Sequence, residues 1–81
     1  MSIQTIIKNV ENQGPYTVLD IYDFDNSSYL VVCENSKTKS RMGDFYFIVD
    51  KFTEKVSGYN PAVDPFEYGA KIRKAKVVYS R

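Results

Sequence analysis

The chain has 81 residues, of which 43% are apolar and 26% charged, with a formal net charge of +1. A chain of this length and composition forms one folded globular domain, which excludes intrinsic disorder and a second core. No apolar run approaches the roughly 20 residues that a membrane-spanning helix needs, and the N-terminus lacks a basic start followed by a long apolar segment. We therefore expect a cytoplasmic protein with no membrane partner.

The residues that could support catalysis are few. The chain contains no histidine and one cysteine, Cys33, so an internal disulfide and a thiolate zinc cluster are excluded, and the commonest general base is missing. Cys33 lies in an apolar run, where burial raises the pKa of a thiol. Asp20, Asp23, Asp25 and Glu34 are the remaining candidates, but nothing in the sequence indicates a pocket around them. We predict a protein that is not an enzyme and has no cofactor or metal.

The N-terminal segment has the pattern of an amphipathic helix. Ser2 can cap a helix that runs to about Gln13, and Gly14-Pro15 then ends it. Its apolar residues fall on one stripe: Ile3, Ile6, Ile7 and Val10. So short a helix is stable only when this stripe packs on a sheet.

Residues 16–34 predict a β-hairpin. Two segments rich in β-branched and aromatic residues, 16–25 and 29–34, flank the turn Asp25-Asn-Ser-Ser28. Counted from Asp23, the oxygen donors and the final Glu34 also match the spacing of an EF-hand calcium loop. Ser28 stands where that loop needs glycine, and both flanks have strand patterns, so we favour the hairpin.

Residues 44–50 have the strongest strand pattern, and we expect the sheet to be built around them. Phe45, Phe47 and Val49 would share one face, with Tyr46 and Ile48 on the other. Polar residues 35–43 before this strand predict an exposed loop or strand end. Residues 50–55 predict the tip of a second hairpin, which returns over 56–59.

The C-terminal third allows two interpretations. Asp64-Pro65 is typical of a helix start, but Gly69 would limit the helix to about one turn, and residues 71–79 would then form a last strand. The alternative is a helix over residues 65–76.

Residues 46–56 resemble the terminal hairpin of PepSY-type domains, in which a strand ends in Val-Asp and Thr, Gly, Lys and Val follow at the turn. Here these are Val49-Asp50, Thr53, Lys55 and Val56, with Glu54 in the glycine position. A helix followed by an antiparallel meander is also similar to the cystatin-like arrangement, although the Gln-x-Val-x-Gly inhibitory loop is absent. The small size and the excess of lysine over arginine resemble short open reading frames of phages from low-GC Gram-positive hosts.

These patterns predict an α+β fold, with the N-terminal helix packed on one face of a curved antiparallel sheet of four or five strands. A small β-barrel is the alternative. With one helix on the sheet, the other face would expose an apolar patch that needs a partner. We therefore predict a non-catalytic protein-binding module whose partner the sequence does not identify. Self-association as a homodimer, through that face or an edge strand, and phage-type inhibition of a host protein are both candidate forms of this function. Tyrosine suits interfaces, and the candidate contacts are Tyr22, Tyr29, Tyr46 and Tyr59.

The alternative function is single-stranded nucleic-acid binding. The C-terminal segment has basic residues with no acid among them, together with an aromatic ring that could stack on a base. These residues are Lys71, Arg73, Lys74, Lys76 and Tyr79.

Overall fold

The structure is a computed structural model that describes residues 2–37 and 45–81. The elements are α1 (Ile3–Glu11), β1 (Tyr16–Asp23), β2 (Ser28–Asn35), β3 (Phe45–Asp50), β4 (Val56–Tyr59), α2 (Pro65–Lys74) and β5 (Lys76–Ser80). Most of the predicted loop over residues 35–43, and Asp44, lie outside the described residues.

Helix α1 begins where the sequence predicts. The Ser2 hydroxyl caps it by accepting a hydrogen bond from the backbone N–H of Thr5 at 3.1 Å. The apolar stripe faces the sheet, and Ile6 and Val10 are completely buried. The helix ends at Glu11, two residues before the expected end. The Glu11 carboxylate accepts a hydrogen bond from the backbone N–H of Val18 at 3.1 Å, which ties the end of the helix to β1.

The five strands form an open antiparallel sheet in the order β4-β3-β2-β1-β5. The barrel alternative is therefore wrong. The central strand is β2 and not β3, which corrects the expectation that the sheet is built around residues 44–50. Burial follows the order, because a middle strand is covered on both faces: Leu30, Val31 and Cys33 of β2 are fully buried, whereas β3 has one fully buried side chain, Val49.

The C-terminal third combines parts of both interpretations. Helix α2 has ten residues and passes through Gly69, so the one-turn helix is wrong and the longer helix is confirmed as far as Lys74. The predicted last strand is present as β5, but it begins at Lys76 and not at residue 71. The Asp64 carboxylate caps the helix by accepting from the backbone N–H of Glu67 at 3.0 Å. A glycine inside a helix costs about 1 kcal/mol, which this cap and the packing of Tyr68 on the sheet offset.

The two helices lie on opposite faces of the sheet. Ile6 and Val10 of α1 pack with Val18, Ile21 and Val31 on one face. Tyr68 of α2 contacts the rings of Phe24, Tyr46 and Tyr59 on the other. The expectation that a single helix leaves one whole sheet face uncovered is wrong, because α2 covers part of that face.

Candidate functional site

A groove of about 400 Å³ opens where β1 and β3 begin and β4 ends. We call it the aromatic groove. It is lined by four aromatic rings on β1 and β3 and by the end of β4: Tyr16, Phe45, Tyr46, Phe47, Gly58, Tyr59, Asn60 and Pro61.

The floor of the aromatic groove is a group of three rings. The centroid of the Tyr16 ring lies 5.1 Å from that of Phe45 and 5.1 Å from that of Phe47, in tilted and edge-to-face arrangements that aromatic pairs favour. Phe45 is 39% exposed. The rings hold one another in place and still present apolar surface to a ligand.

Gly58 keeps the aromatic groove open. It lies opposite Phe47 in the pairing of β3 with β4. A Cβ atom added at Gly58 would meet no heavy atom within 4 Å, so the space that a side chain would fill is empty. A glycine in a strand interior weakens the strand and often marks a place where another chain or ligand approaches.

The groove adjoins the β4 edge of the sheet. Strand β4 has the sequence Val-Ser-Gly-Tyr and carries no charged side chain. The opposite edge strand, β5, begins with Lys76 and pairs with β1 across an irregularity in register, and both features discourage the pairing of a further strand. Within the described residues, β4 therefore lacks the charge and the register irregularity that oppose strand addition at β5.

An aromatic cluster fixes α2 against the sheet. The Tyr68 ring lies 6.3 Å from the rings of Phe24, Tyr46 and Tyr59, and the last two rings also border the aromatic groove. Burial raises the pKa of the Tyr68 hydroxyl, and the neighbouring tyrosines Tyr46, Tyr22 and Tyr59 add to this effect. The surroundings of Tyr68 therefore favour its neutral form.

The four tyrosines predicted as contacts do not form one surface. Tyr46 and Tyr59 pair across β3 and β4 and both line the groove. Tyr22 lies on the same sheet face in β1, whereas Tyr29 lies on the α1 face, where the Lys51 ammonium sits 4.9 Å from its ring centroid. All four are half-buried.

The turn between β1 and β2 is held by two lysines from distant parts of the chain. Lys51 pairs with the Asp23 carboxylate and donates to the backbone carbonyl of Asp25 at 2.7 Å. Lys71 donates to the Asp25 carboxylate at 3.0 Å, and the hydroxyls of Ser27 and Ser28 donate to the same carboxylate.

The environment of Asp25 favours its ionised form. Burial alone would raise the pKa of this carboxyl, but the hydrogen bonds from Ser28, Lys71 and Ser27 outweigh burial and hold the pKa well below its usual range. The segment with calcium-loop spacing is a hairpin whose flanks are strands. Within residues 2–37 and 45–81, no three His, Cys, Asp or Glu side chains are placed to hold a metal ion together.

Of the four basic residues of the nucleic-acid alternative, one is engaged in ion pairs and three are exposed. Lys71 is paired with Asp25 and with Glu67, at 3.0 and 2.9 Å. Arg73 and Lys74 are exposed in the last turn of α2, and Lys76 is exposed in β5. Tyr79 is half-buried and packs against the core, so its ring is not free to stack on a base.

Four of the residues considered for catalysis are buried or paired with neighbouring groups. Cys33 is completely buried, and burial, reinforced by the negative charge of Glu11, raises the pKa of its thiol to about 12. The Asp20 carboxylate accepts a hydrogen bond from the Ser80 hydroxyl at 2.8 Å. Asp23 and Asp25 are paired with lysines at the turn. A thiol in this setting is not a nucleophile near neutral pH.

Comparison of the chain with protein-family models, with curated proteins and with solved structures found no match. None of the helices in the described part of the chain is long and apolar enough to cross a bilayer. Sequence reasoning missed Tyr16, Phe45, Phe47 and Gly58, although a glycine within a four-residue strand is a signal that could have been used.

Proposed function

We propose that this protein is a non-catalytic protein-binding module that pairs an extended segment of a partner protein with the edge strand β4. A side chain of that segment would enter the aromatic groove. The observation that carries the proposal is the position of an open, ring-lined groove directly beside an uncharged sheet edge. In this mode of recognition, main-chain hydrogen bonds supply affinity and the pocket beside the edge supplies specificity.

The groove favours an apolar or aromatic side chain from the partner. Three rings form its floor, and Tyr46 and Tyr59 form its border, so an apolar side chain would be removed from water on entry. Tyrosines at the border can both pack on the segment and donate to its carbonyls. Of the four tyrosines that the sequence indicates, these two are the ones we propose as contacts.

We infer that α1 and the β1-β2-β3-β4 meander follow the cystatin-like or PepSY-like arrangement, with α2 and β5 as additions. We also infer an inhibitor of a host protein, from the compositional resemblance to phage reading frames. Peptide binding by the Gly58→Val variant tests the binding mode independently of both inferences.

The test is selection from a displayed library of random peptides, followed by affinity measurement with two variants. Gly58→Val places a side chain in the groove without steric conflict, because the space at Gly58 is open and valine suits a strand. Ser57→Val adds valine to the same strand at a position that does not line the groove. We expect the selected peptides to carry an apolar or aromatic residue. They should bind Gly58→Val at least about tenfold more weakly than the unmodified protein, a difference of roughly 1.4 kcal/mol, and should bind Ser57→Val almost as tightly as the unmodified protein.

Two results would contradict the proposal. In the first, the selected peptides bind the Gly58→Val variant as tightly as they bind the unmodified protein. The other is the absence of peptide binding together with binding of a labelled single-stranded oligonucleotide that falls steeply with salt and is abolished by Arg73→Glu and Lys74→Glu. The second result would establish the nucleic-acid alternative.

A further inference from the structure

A second pocket, of about 240 Å³, adjoins the aromatic groove. We call it the second pocket. It is lined by the end of β4, by the segment before α2 and by the first turn of α2: Gly58, Tyr59, Asn60, Val63, Asp64 and Glu67. Its first three residues also line the aromatic groove, so the two cavities meet at the end of β4.

The two cavities serve opposite faces of the sheet. Phe47, in the floor of the aromatic groove, packs against the core on the α1 face, and Gly58 is its partner across β3 and β4. The second pocket is lined by Tyr59, whose ring contacts Tyr68 of α2 on the other face. Successive side chains of a strand point to opposite faces. A strand added at β4 would therefore direct one side chain to the aromatic groove and the next to the second pocket.

The lining of the second pocket combines two carboxylates with apolar surface. Asp64 and Glu67 line it, and no basic side chain of the described residues does. Val63, which is 82% exposed, contributes apolar surface. Burial raises the pKa of the Tyr59 hydroxyl, and the negative charges of Glu67 and Asp64 raise it further against the opposing charge of Lys71. Both carboxylates therefore act on the space beside Tyr59.

The existing partners of these carboxylates leave negative charge in excess. Lys71 pairs with Glu67 at 2.9 Å and with Asp25 at 3.0 Å, so one ammonium serves two carboxylates. The Asp64 carboxylate accepts from the backbone N–H of Glu67, a bond that brings no full positive charge. A helix N-terminus supplies about half a positive charge, which these carboxylates exceed. The Glu67 side chain is 54% exposed, so a ligand can reach it.

We propose that the second pocket takes a lysine or arginine side chain of the bound segment, immediately before or after the residue that enters the aromatic groove. This inference rests on the proposed strand addition at β4 and adds the partner's sequence: an apolar or aromatic residue next to a basic one. The aliphatic stem of the basic side chain would pack on Val63 and Tyr59. Its charged end would lie beside Asp64 and Glu67.

The test uses peptides selected from the displayed random library, made synthetically. We expect a lysine or arginine to be enriched next to the apolar residue. Replacing that lysine by norleucine keeps the stem and removes the charge, and it should weaken binding about three- to tenfold, because the contact is charged but partly open to water. The loss should shrink as the salt concentration rises.

Variants of the protein locate the contact. The double variant Asp64→Asn and Glu67→Gln should weaken binding of the lysine peptide by the same factor and leave binding of the norleucine peptide almost unchanged. Asparagine caps a helix as well as aspartate does, and circular dichroism checks that α2 is kept. Glu54→Gln is the control, because it removes an equal charge from an exposed position before β4 and should not affect either peptide.

The possible outcomes separate this inference from the proposed function. Peptides that lose affinity for Gly58→Val but tolerate norleucine, or that show no basic neighbour, would overturn the basic subsite and leave strand addition at β4 standing. An equal loss for both peptides on the double variant would also overturn it. Peptides that bind Gly58→Val as tightly as the unmodified protein, or an absence of peptide binding, would overturn both.

Discussion

At the scale of single residues, Glu54 and Asp25 each have a local environment whose effect on stability a single substitution can measure. Glu54 has a φ of 64°, the left-handed conformation that favours glycine. Asp25, in the turn between β1 and β2, is surrounded by donors that stabilise its negative charge.

Glu54→Gly should stabilise the fold by about 0.5 to 1 kcal/mol. A side chain in the left-handed conformation costs roughly 1 to 2 kcal/mol, and the gain from removing this strain is reduced by the greater freedom of glycine in the unfolded chain. Urea denaturation measures the change. Glu54→Ala removes the same charge but keeps Cβ, so it should bring no such gain in stability. Equal gains for both variants would show that loss of the charge, and not relief of backbone strain, stabilises the fold.

Asp25→Asn should lower stability at neutral pH by about 1 to 2 kcal/mol, because hydrogen bonds to a charged, partly exposed acceptor are lost. The folded pKa of Asp25 is depressed, so its contribution is present above the unfolded pKa of about 4 and is lost as pH falls through the folded value. The difference between the unmodified protein and Asp25→Asn should therefore shrink below about pH 4.

The measurement is the free energy of unfolding of both proteins between pH 7 and pH 2. A difference that stays constant over this range would mean that the Asp25 carboxylate contributes nothing through its ionised form. Glu67→Gln is a useful control, because it leaves the bond from Lys71 to Asp25 in place.

At the scale of elements, α2 depends on tertiary contacts more than on its own sequence. It contains a glycine, which lowers its helical propensity, and none of its residues is fully buried. Its contacts with the rest of the fold include the Tyr68 ring in the aromatic cluster and the ion pair of Lys71 with Asp25. The same cluster holds Tyr46 and Tyr59 at the border of the aromatic groove.

Tyr68→Ala should cost about 2 kcal/mol and loosen α2. The value is below that for a fully buried ring because Tyr68 is only half-buried. Chemical denaturation gives the free energy, and amide hydrogen exchange of residues 65–74 shows whether the loss is local to the helix. Tyr68→Phe keeps the ring contacts and should cost much less. Unchanged protection of α2 in Tyr68→Ala would contradict the assignment of Tyr68 as its anchor.

At the scale of the whole molecule, the sheet lies between two helices and its central strand is shielded from both sides. Cys33 is completely buried in β2, between β1 and β3 and beneath α1. A thiol in this position reacts only when the core opens, so it reports on unfolding of the molecule as a unit.

The Cys33 thiol should be modified by a disulfide reagent only through global unfolding. We expect the rate of modification to rise with urea along the same slope as the equilibrium unfolding measured by circular dichroism. Rapid modification in the native protein that does not depend on urea would contradict the burial of Cys33. A protein unfolded in concentrated urea provides the upper limit of the rate.

The sequence alone determined the local features of this protein, because those depend on neighbouring residues. The Ser2 cap, the α1 stripe and the two hairpins follow from short-range periodicity and turn chemistry. The length of α2 and the late start of β5 did not follow, because Gly69 gives a local stop signal that contacts from Tyr68 and Lys71 with distant residues override.

Only the tertiary structure decided the sheet order and the position of the candidate site. Residues 44–50 have the stronger apolar pattern, yet β2 is central because β1 and β3 pair on its two sides. The aromatic groove needs Tyr16 from β1, Phe45 and Phe47 from β3 and Gly58 from β4 to come together. Their separation along the chain hides this arrangement from any local pattern, since strand pairing alone brings them into contact.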